Sequence, residues 1–562
     1  MPFFSHVDAN NHVLNSCLAD ICFHLFGSSP FSLRLPNLLA LVILIVATYQ
    51  LSKRLKLTSA KVILTIGMLL SFHWLSFFSA CRGYGLSMAL LFASIVYMIR
   101  YFENYTLGDF VKCLICFQLS ISSNLILIVV VLLLSAAIIL NQLLRRKFFG
   151  FVNVCIWVLH FALVYYWLSF SFFLQKNGAL YYGEGDSYWQ VTFVSLIHLI
   201  SGAEGQLSTG VSLVVFIVVM GAAFYINREY VFQFKNLLIQ PRWTIVFGGI
   251  WILLCLAFYL MNHMLGVNFP EDRTGLFFYL FFVLVVSFLM DDLPTIFHRP
   301  ILIGATALFA LHFGLSLNFR KHSLNVYETI PERFYTTLLT AQNESTRRIT
   351  IGGHRVRELF YAFFNYRHGS VLNPADAVEN MQMNCDYYIG DKKVESYYTA
   401  FYDIIDTEPD WGFVLLKRKK EVQRVLHVER TDMEVDANSE EFIGLYESKD
   451  TTFKNTMPIL AELNFDVVDV PVPINTWFVI QVNDSLDQTV YFKRFPLQWI
   501  GYKINGRQNL SYSLLTGNLP AKSKKIACFF WNIDKKPHSL KVNSLRISQL
   551  QGEGVDFVVG RK

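Results

Sequence analysis

The sequence predicts a polytopic α-helical membrane protein of about ten spans, followed by a C-terminal region of mixed strand and helix. Of its 562 residues, 54% are hydrophobic and only 16% are charged, against a charged share of roughly 25% in soluble domains. Most of the charged residues follow residue 318. The earlier part is a series of Leu, Ile, Val and Phe runs, each near the roughly 17–25 residues that a helix needs to cross a bilayer.

Ten apolar segments are candidate spans. They lie near 35–52, 61–80, 84–101, 108–121, 123–143, 149–174, 208–227, 242–263, 274–291 and 299–318. The fourth is short, and the polar residues Ser122, Ser123 and Asn124 predict a break or re-entrant turn at its end. These segments predict a transmembrane domain over 35–320. Residues 1–34 precede it and are predicted to form an outer loop and a juxtamembrane helix.

Basic residues in three short loops predict the orientation. The clusters follow the first, fifth and seventh spans and consist of Lys53, Arg54, Lys56 and Lys61, of Arg145, Arg146 and Lys147, and of Arg228, Lys235 and Arg242. Such clusters mark the cytoplasmic side. The outer side then holds residues 1–34, the turn at 81–84, the segment 175–206, the loop 264–273 and everything after 318, which we expect to be periplasmic.

Two apolar stretches do not fit as spans. Residues 13–26 have helical periodicity, but they are too few and too polar to cross, so we expect a helix lying on the outer surface. Residues 187–203 are more apolar, yet the parity of the basic loops fails if they cross. They are predicted to form an interfacial helix on the outer face.

The C-terminal region changes to alternating patterns with normal charge density. Residues 321–424 predict an α/β domain, with helices near 328–341 and 394–405 and strands near 348–352, 386–390 and 413–418. Residues 425–439 are polar and predict a linker. Residues 440–562 hold several short strands, which predict a β-sandwich of the jelly-roll kind.

Charge and cysteine usage exclude other classes of protein. The net charge of +6 is spread over loops, so it indicates topology and no nucleic-acid partner. Cys113 and Cys116 lie in an apolar helix without a neighbouring histidine, and we expect packing roles for them. No residues have strong metal-ligand spacing. Glu184 and Asp186, in a glycine-containing outer loop, could bind an acceptor or a divalent metal, although a solvated turn is the commoner role of such a pair.

Three motifs on the outer side occur in a familiar order. The first runs from Asp8 through His12 and an amphipathic helix to Leu33-Arg34-Leu35-Pro36-Asn37; the second is Ala80–Gly85, containing Arg82; the third is Phe269–Thr274, containing Arg273. Together they resemble lipid-linked-sugar glycosyltransferases of the GT-C fold, the group with protein O-mannosyltransferases and the aminoarabinose transferase. The resemblance covers about 320 residues.

The resemblance implies a bacterial inner-membrane enzyme that moves a sugar from a polyprenyl-phosphate donor to a glycan, lipid or protein acceptor, with no required cofactor. Asp8 and His12 are then the catalytic candidates, and Arg82 and Arg273 the ligands of the donor phosphate, since guanidinium groups suit phosphate oxygens. Asp8 could instead cap the first helix. The two arginines could instead extend to ordinary lipid headgroups.

Two other functions stay open. Family members carry one more span and an acidic pair upstream, so the chain is expected to be truncated, which favours an inactive homologue or scaffold. A lipid or solute transporter is disfavoured because no inverted repeat is visible. Polar residues near spans are functional candidates by default, although a neighbouring helix could satisfy each; they are His73, Asn124, His160, His198 and His312. Trp477, Trp499 and Trp531 could stack on carbohydrate or fill the sandwich core.

Overall fold

The computed structural model describes residues 12–148, 150–176, 187–203, 205–231, 239, 241–318, 330–354, 359–369, 371–378, 382–392, 398–448, 456–470, 475–497 and 506–556. The chain forms two compact units, Met1–Ser323 and Leu324–Lys562. The first is helical and the second contains all the described strands.

The first unit is a bundle of apolar helices, and among its described residues eight helices are long and apolar enough to cross a membrane. The helices are α1 (Val13–Phe26), α2 (Pro30–Ser52), α3 (Thr58–Leu69), α4 (Phe72–Ser76), α5 (Gly83–Asn104), α6 (Leu107–Ser123), α7 (Leu127–Leu144), α8 (Phe151–Lys176), α9 (Ser195–Ser201), α10 (Gln206–Val231), α11 (Trp243–Leu265), α12 (Leu276–Asp292) and α13 (His298–Ser316). The prediction of a polytopic helical membrane protein is confirmed.

One predicted span is interrupted, and another ends at its predicted break. The prediction of one continuous helix over 61–80 is wrong, because α3 ends at Leu69 and the short α4 begins at Phe72 after Ser71, whose backbone is extended. The predicted break after the fourth span is confirmed. Helix α6 ends at Ser123, and Asn124 is extended with φ −159° before α7 begins.

The two shorter segments that the sequence predicts to lie on the outer face are helical in the structure. Helix α1 begins at Val13 and ends at Phe26, before Gly27, whose positive φ of 80° a glycine adopts without steric cost. The segment after residue 187 is helical as well. It starts with a π-helical turn, Trp189–Val194, and continues as α9.

Helix α5 lies at the centre of the bundle, and almost all of its side chains are buried. It packs against α2 and α6. Helices α8, α10 and α13 have the opposite character, since they are apolar and mostly exposed. Exposed apolar helices are the form expected of surfaces that face lipid.

The helix ends that the basic loops predict to be cytoplasmic lie together. Arg54, just after α2, pairs with Glu103 at the end of α5 across 3.0 Å. Asp291, at the end of α12, accepts hydrogen bonds from two backbone amides before α3, and Arg242 before α11 pairs with Asp292 at 3.1 Å. The bundle therefore has a charged end, formed by these pairs, and an opposite end where α5 begins.

The second unit opens with an α/β fold. Helices α14 (Glu332–Glu344) and α15 (Leu359–Arg367) accompany a five-stranded sheet of order β2-β1-β3-β5-β4. The strands are β1 (Ile351–His354), β2 (Asp376–Val378), β3 (Tyr387–Asp391), β4 (Tyr402–Glu408) and β5 (Phe413–Arg418). The predicted helix at 394–405 is wrong where the structure describes it, because β4 begins at Tyr402 and pairs with β5.

The predicted β-sandwich is confirmed. Two four-stranded sheets, β10-β9-β12-β7 and β11-β8-β13-β6, enclose an apolar core. The strands are β6 (Gln423–Ala437), β7 (Phe442–Glu447), β8 (Ile459–Asp469), β9 (Thr476–Asn483), β10 (Thr489–Pro496), β11 (Leu510–Leu515), β12 (Lys525–Asn532) and β13 (His538–Gln551). Burial alternates along β12, as expected when one face of a strand packs inward.

The predicted linker at 425–439 is wrong. These residues belong to β6, which pairs with β13 along nearly its whole length. Strand β6 is the edge of its sheet and most of its side chains are exposed. Edge strands often carry many charged residues, which protect them from pairing with other chains. Residues 425–439 are polar for this reason, and their composition therefore resembles that of a linker.

The α/β fold and the sandwich share a core. Tyr388 and Tyr402 of the α/β sheet pack with Leu460 and Leu515 of the sandwich. Arg424 on β6 also bridges the two folds, because it pairs with Asp386 at 3.2 Å and with Glu462 at 2.7 Å. The predicted boundary at 424–440 therefore divides a continuous structure.

Candidate functional site

Three of the four predicted site residues meet at one end of the bundle, around the ring of Tyr84. The ring of His12 lies edge-on to it, with centroids 4.5 Å apart. Arg273 donates from Nε to the Tyr84 hydroxyl across 3.2 Å, and its guanidinium lies 5.7 Å from the ring centroid. Arg82 is the N-cap residue of α5, two positions before Tyr84, and it is close enough for its charge to act on His12. Asp8, the fourth predicted residue, lies outside the described residues.

His12 is held by the break between α6 and α7. Its Nδ1–H donates to the carbonyl oxygen of Ser123 across 2.7 Å. The last carbonyl groups of a helix have no partner within it, so the end of α6 offers this acceptor. Gly83 makes the approach possible, because a Cβ there would lie 2.4 Å from the Ser123 oxygen and 2.6 Å from the Cβ of His12.

Burial keeps His12 neutral. The pKa of His12 is lowered to about 4, chiefly because burial disfavours the charged ring. The positive charges of Arg82 and Arg273 lower the pKa as well, whereas the bond to Ser123 raises it. With Nδ1 donating, Nε2 carries the lone pair of the neutral ring. Nε2 is buried and has no hydrogen-bond partner among the described residues. Within the described part of the chain, the site therefore contains a buried hydrogen-bond acceptor without a partner, beside two cations.

Arg82 is positioned by the start of α5. Its backbone is extended, with φ −139° and ψ 146°, and its side chain is partly exposed. Within the described parts of the chain no carboxylate pairs with it. The N-terminal end of α5 adds partial positive charge at the same place. This end of the bundle therefore favours an anion.

The loop that carries Arg273 is fixed by two sets of bonds. Glu271 and Thr274 form a reciprocal cap around the turn Asp272–Gly275, with Glu271 N donating to Thr274 Oγ1 across 2.7 Å. The amide of Asp272 donates to Ser195 Oγ at 2.9 Å. Because Ser195 lies at the start of α9, the predicted interfacial segment holds the loop of Arg273.

Two asparagines tie together the helices that position the site. Asn37 donates from Nδ2 to Asn15 Oδ1 across 2.7 Å, and its Oδ1 accepts from the amide of Leu86 at 3.1 Å. It thereby joins α1, α2 and the first turn of α5. Asn37 is the last residue of the motif at the start of α2, and its role is thus structural. Arg34, in the same motif, is exposed.

Other predicted candidates lie elsewhere. His160 is bonded to Ser135 at 3.1 Å and to Gln118 at 3.0 Å, so neighbouring helices satisfy it. His73 and His312 form a separate pair with ring centroids 5.6 Å apart. Glu184, Asp186 and Trp499 are outside the described residues. In the parts of the chain that the structure describes, no group of three or more His, Cys, Asp or Glu side chains could hold a metal ion.

Sequence reasoning did not identify Tyr84, Ser123 or Asn15 as parts of the site. Tyr84 lies within the motif Ala80–Gly85, in which the sequence points only to Arg82. For Asn15 and Asn37 the sequence does contain a signal, since each is a polar residue inside a largely apolar helical run. The structure shows that both are fully or almost fully buried. Ser123 contributes a backbone carbonyl, for which side-chain identity gives no signal.

Comparison with known proteins gives only distant structural likenesses. No protein-family model and no curated protein matches the sequence. The structure resembles crystal structures of ArnT from Cupriavidus metallidurans, in the apo state and bound to undecaprenyl phosphate, each at 11% identity and TM-score 0.34, covering 72% of this chain and 86% of that one. It also resembles the arabinosyltransferase EmbB from Mycobacterium smegmatis, at 12% identity and TM-score 0.28, covering 95% of this chain and 59% of that one. Likenesses this distant do not place the chain in a family.

Proposed function

We propose that the chain is a membrane glycosyltransferase that transfers a sugar from a polyprenyl-phosphate donor to a glycan, lipid or protein acceptor at the outer face of the membrane. The observation that carries the proposal is the meeting of His12, Arg82 and Arg273 around Tyr84. It occurs at the bundle end opposite the charged pairs, which is the end where the basic loops predict the outer face. The same topology makes the C-terminal unit periplasmic.

The two arginines suit the leaving phosphate. When the bond between the sugar C1 and the phosphate oxygen breaks, negative charge develops on the phosphate, and preorganised cations stabilise it. A guanidinium can bind two phosphate oxygens at once. The bond from Arg273 to Tyr84 restricts the Arg273 side chain before the donor arrives, and the N-cap position fixes the backbone from which the Arg82 side chain extends. The N-terminal end of α5 adds further positive potential.

The acceptor hydroxyl needs a group that orients it and a base that takes its proton as its oxygen bonds to C1. In this proposal the neutral His12 accepts the hydroxyl hydrogen bond at Nε2, the buried atom without a described partner. Its low pKa makes it a weak base, so Asp8, four residues earlier, remains the proposed proton acceptor. His12→Gln is then expected to keep donor binding and lose transfer.

Binding of undecaprenyl phosphate to the purified chain tests the phosphate site. Native mass spectrometry in detergent would compare wild type with Arg273→Lys, Arg273→Ala and Arg82→Ala. Charge-assisted hydrogen bonds are worth about 1.5–3 kcal/mol, so each alanine variant should bind about 10- to 150-fold more weakly. Lysine keeps the charge but loses the planar fork, and Arg273→Lys should be intermediate.

Arg34→Ala is the matched control, because Arg34 is an exposed arginine near the start of α2. An arginine that only reaches lipid headgroups would be replaced by lysine without loss. Equal binding by wild type and all variants would reject the phosphate site and favour a scaffold. Movement of the probe across a bilayer, without transfer of a sugar, would favour a transporter. Repeating the binding measurement in the presence of EDTA shows whether a divalent metal contributes to undecaprenyl phosphate binding.

A further inference from the structure

The outward face of the sheet β10-β9-β12-β7 is aromatic. Five aromatic residues and one arginine on this face form a surface that we name the aromatic platform: Phe442, Trp477, Phe492, Arg494, Phe529 and Trp531. The solvent face of an antiparallel sheet is ordinarily polar. Phe442 is 56% exposed and Phe492 is 43% exposed, so this surface keeps large apolar rings in contact with water.

The strand register arranges the rings in a row. Trp531 on β12 lies opposite Phe442 on β7 and opposite Trp477 on β9. Neighbouring strands are about 4.8 Å apart, so the row extends about 10 Å across three strands. The Phe442 and Trp531 rings are nearly parallel, at 19° with centroids 6.1 Å apart, and Phe492 borders Trp531 at 6.4 Å.

The platform is separate from the sandwich core. Phe478 and Phe530, the chain neighbours of Trp477 and Trp531, are fully buried between the sheets. Since side chains alternate along a strand, the two tryptophans face the other way, and the alternative that they fill the core is wrong. Packing inside the sandwich therefore does not explain these rings.

Polar groups fix the rings at their edges. The indole N–H of Trp531 donates to Glu441 and that of Trp477 to Asn475, each across 3.3 Å. The Arg494 guanidinium lies 4.3 Å over the Trp477 ring and 5.4 Å from the Trp531 ring. A ligand would meet rings that are already oriented, which lowers the entropic cost of binding.

We propose that the aromatic platform binds a neutral oligosaccharide. A pyranose ring has an apolar face of C–H groups, which can stack on an indole or phenyl face, and a rim of hydroxyls. The rim would find Arg494 as donor and Glu441 and Asn475 as acceptors beside the rings. Flat rings with a few polar groups at the edge are the usual composition of small-ligand sites. The row favours a chain of sugars over a single one.

Size and charge disfavour other occupants. A stable protein interface involves about 20–30 residues on each side, whereas the platform has six. Binding to an anionic bilayer surface needs a cluster of basic residues. Here Lys535 is paired with Glu441 at 2.9 Å, and the platform itself contributes a single positive charge, that of Arg494, which is no basic cluster.

The test uses the full chain in a zwitterionic detergent, because alkyl maltosides carry a sugar headgroup that would compete. Maltohexaose, cellohexaose and mannohexaose at millimolar concentration are the probes, and titration calorimetry with tryptophan fluorescence is the readout. Wild type should bind at least one of them. Trp531→Ala and Phe442→Ala should each weaken binding roughly twofold to tenfold, the range for one ring contact, and the double variant more. Trp531→Phe should retain part of the affinity.

Leu426→Ala is the control, since Leu426 is 50% exposed on the opposite sheet. A circular dichroism melt of each variant shows whether the sandwich is intact. Failure of wild type to bind any of the three sugars overturns the proposal, as does binding that survives the double alanine variant with an unchanged melt. The phosphate site does not enter this experiment, so undecaprenyl phosphate binding by the double variant should equal that of wild type.

Discussion

His12 donates its Nδ1–H to the carbonyl oxygen of Ser123 across 2.7 Å, although the two residues are 111 positions apart. This bond joins the start of α1 to the point where α6 ends. It also defines the tautomer that leaves the lone pair of Nε2 inside the site. The geometry of the site thus depends on the break between α6 and α7, which the sequence indicates only by the short polar run Ser122-Ser123-Asn124.

The first prediction concerns stability and pH. The pKa of His12 falls from an ordinary value of 6.5 to about 4 because of burial and the nearby cations. Between these values the unfolded chain binds a proton that the folded chain does not, so stability is full above pH about 6.5 and decreases as the pH falls toward 4. The loss is on the order of 3 kcal/mol, since one pKa unit is about 1.4 kcal/mol.

Thermal unfolding in detergent across this pH range measures the effect. His12→Gln should flatten the pH dependence by roughly that amount, because glutamine does not titrate. His24→Gln, which changes an exposed histidine on the same helix, is the matched control. A His12→Gln curve parallel to wild type would show that His12 does not stay neutral in the fold.

The second prediction concerns the close approach at Gly83. A methyl group there would lie 2.4 Å from the Ser123 oxygen, a backbone atom that cannot rotate away. Gly83→Ala should therefore separate α5 from the end of α6 and lower stability by about 1–3 kcal/mol. Gly249→Ala, in a helix where a new Cβ meets no atom within 4 Å, should be neutral or slightly stabilising. Equal melting temperatures for the two variants would contradict the close packing at Gly83.

The third prediction concerns the second unit. A fragment covering 440–562 lacks β6, and with it the pairing along β13 and the bridge from Arg424 to Glu462. It also exposes Leu460 and Leu515, which pack against the α/β fold. We expect no cooperative melt by circular dichroism from this fragment, and a cooperative melt from 324–562. A cooperative melt of 440–562 alone would show that β6 and the shared core are dispensable.

Periodic patterns made much of the fold predictable. Apolar runs of bilayer length predicted the long helices, and alternating patterns over 440–562 predicted the β-sandwich, because both kinds of pattern record which side of an element is buried. The strand β6 was missed for the same reason. An exposed edge strand has no buried face along most of its length, so its composition resembles that of a linker.

The site was partly predictable because three motifs resemble those of a known group of glycosyltransferases. That resemblance implied His12, Arg82 and Arg273, and the suitability of guanidinium groups for phosphate oxygens supported the two arginines. Their meeting point was not predictable, since Tyr84 is 189 positions from the arginine that it binds. Period and spacing describe neighbours in sequence, whereas this contact results from packing of α1, α5 and the loop before α12.

The last prediction concerns Ser195, which we expect to position Arg273 without touching the donor. Ser195 Oγ accepts the amide of Asp272 at 2.9 Å, and Asp272 has a φ of 47°. A left-handed backbone costs a non-glycine residue about 1–2 kcal/mol, so the bond to Ser195 helps to hold a conformation that the loop would otherwise leave. Ser195→Ala should speed hydrogen exchange in 270–274 and weaken undecaprenyl phosphate binding, because the bond from Arg273 to Tyr84 then forms less often.

Asp272→Gly distinguishes this positioning role from general damage. Glycine adopts positive φ without the steric cost, so adding it to Ser195→Ala should restore part of the binding. Ser208→Ala, which removes a hydroxyl that donates to the backbone oxygens of Ala203 and Gly205, should leave both measurements unchanged. If Ser195→Ala alters neither exchange nor binding, the cap formed by Glu271 and Thr274 is sufficient to hold the loop. If it alters both and Asp272→Gly restores neither, Ser195 acts through α9 and not through the backbone of Asp272.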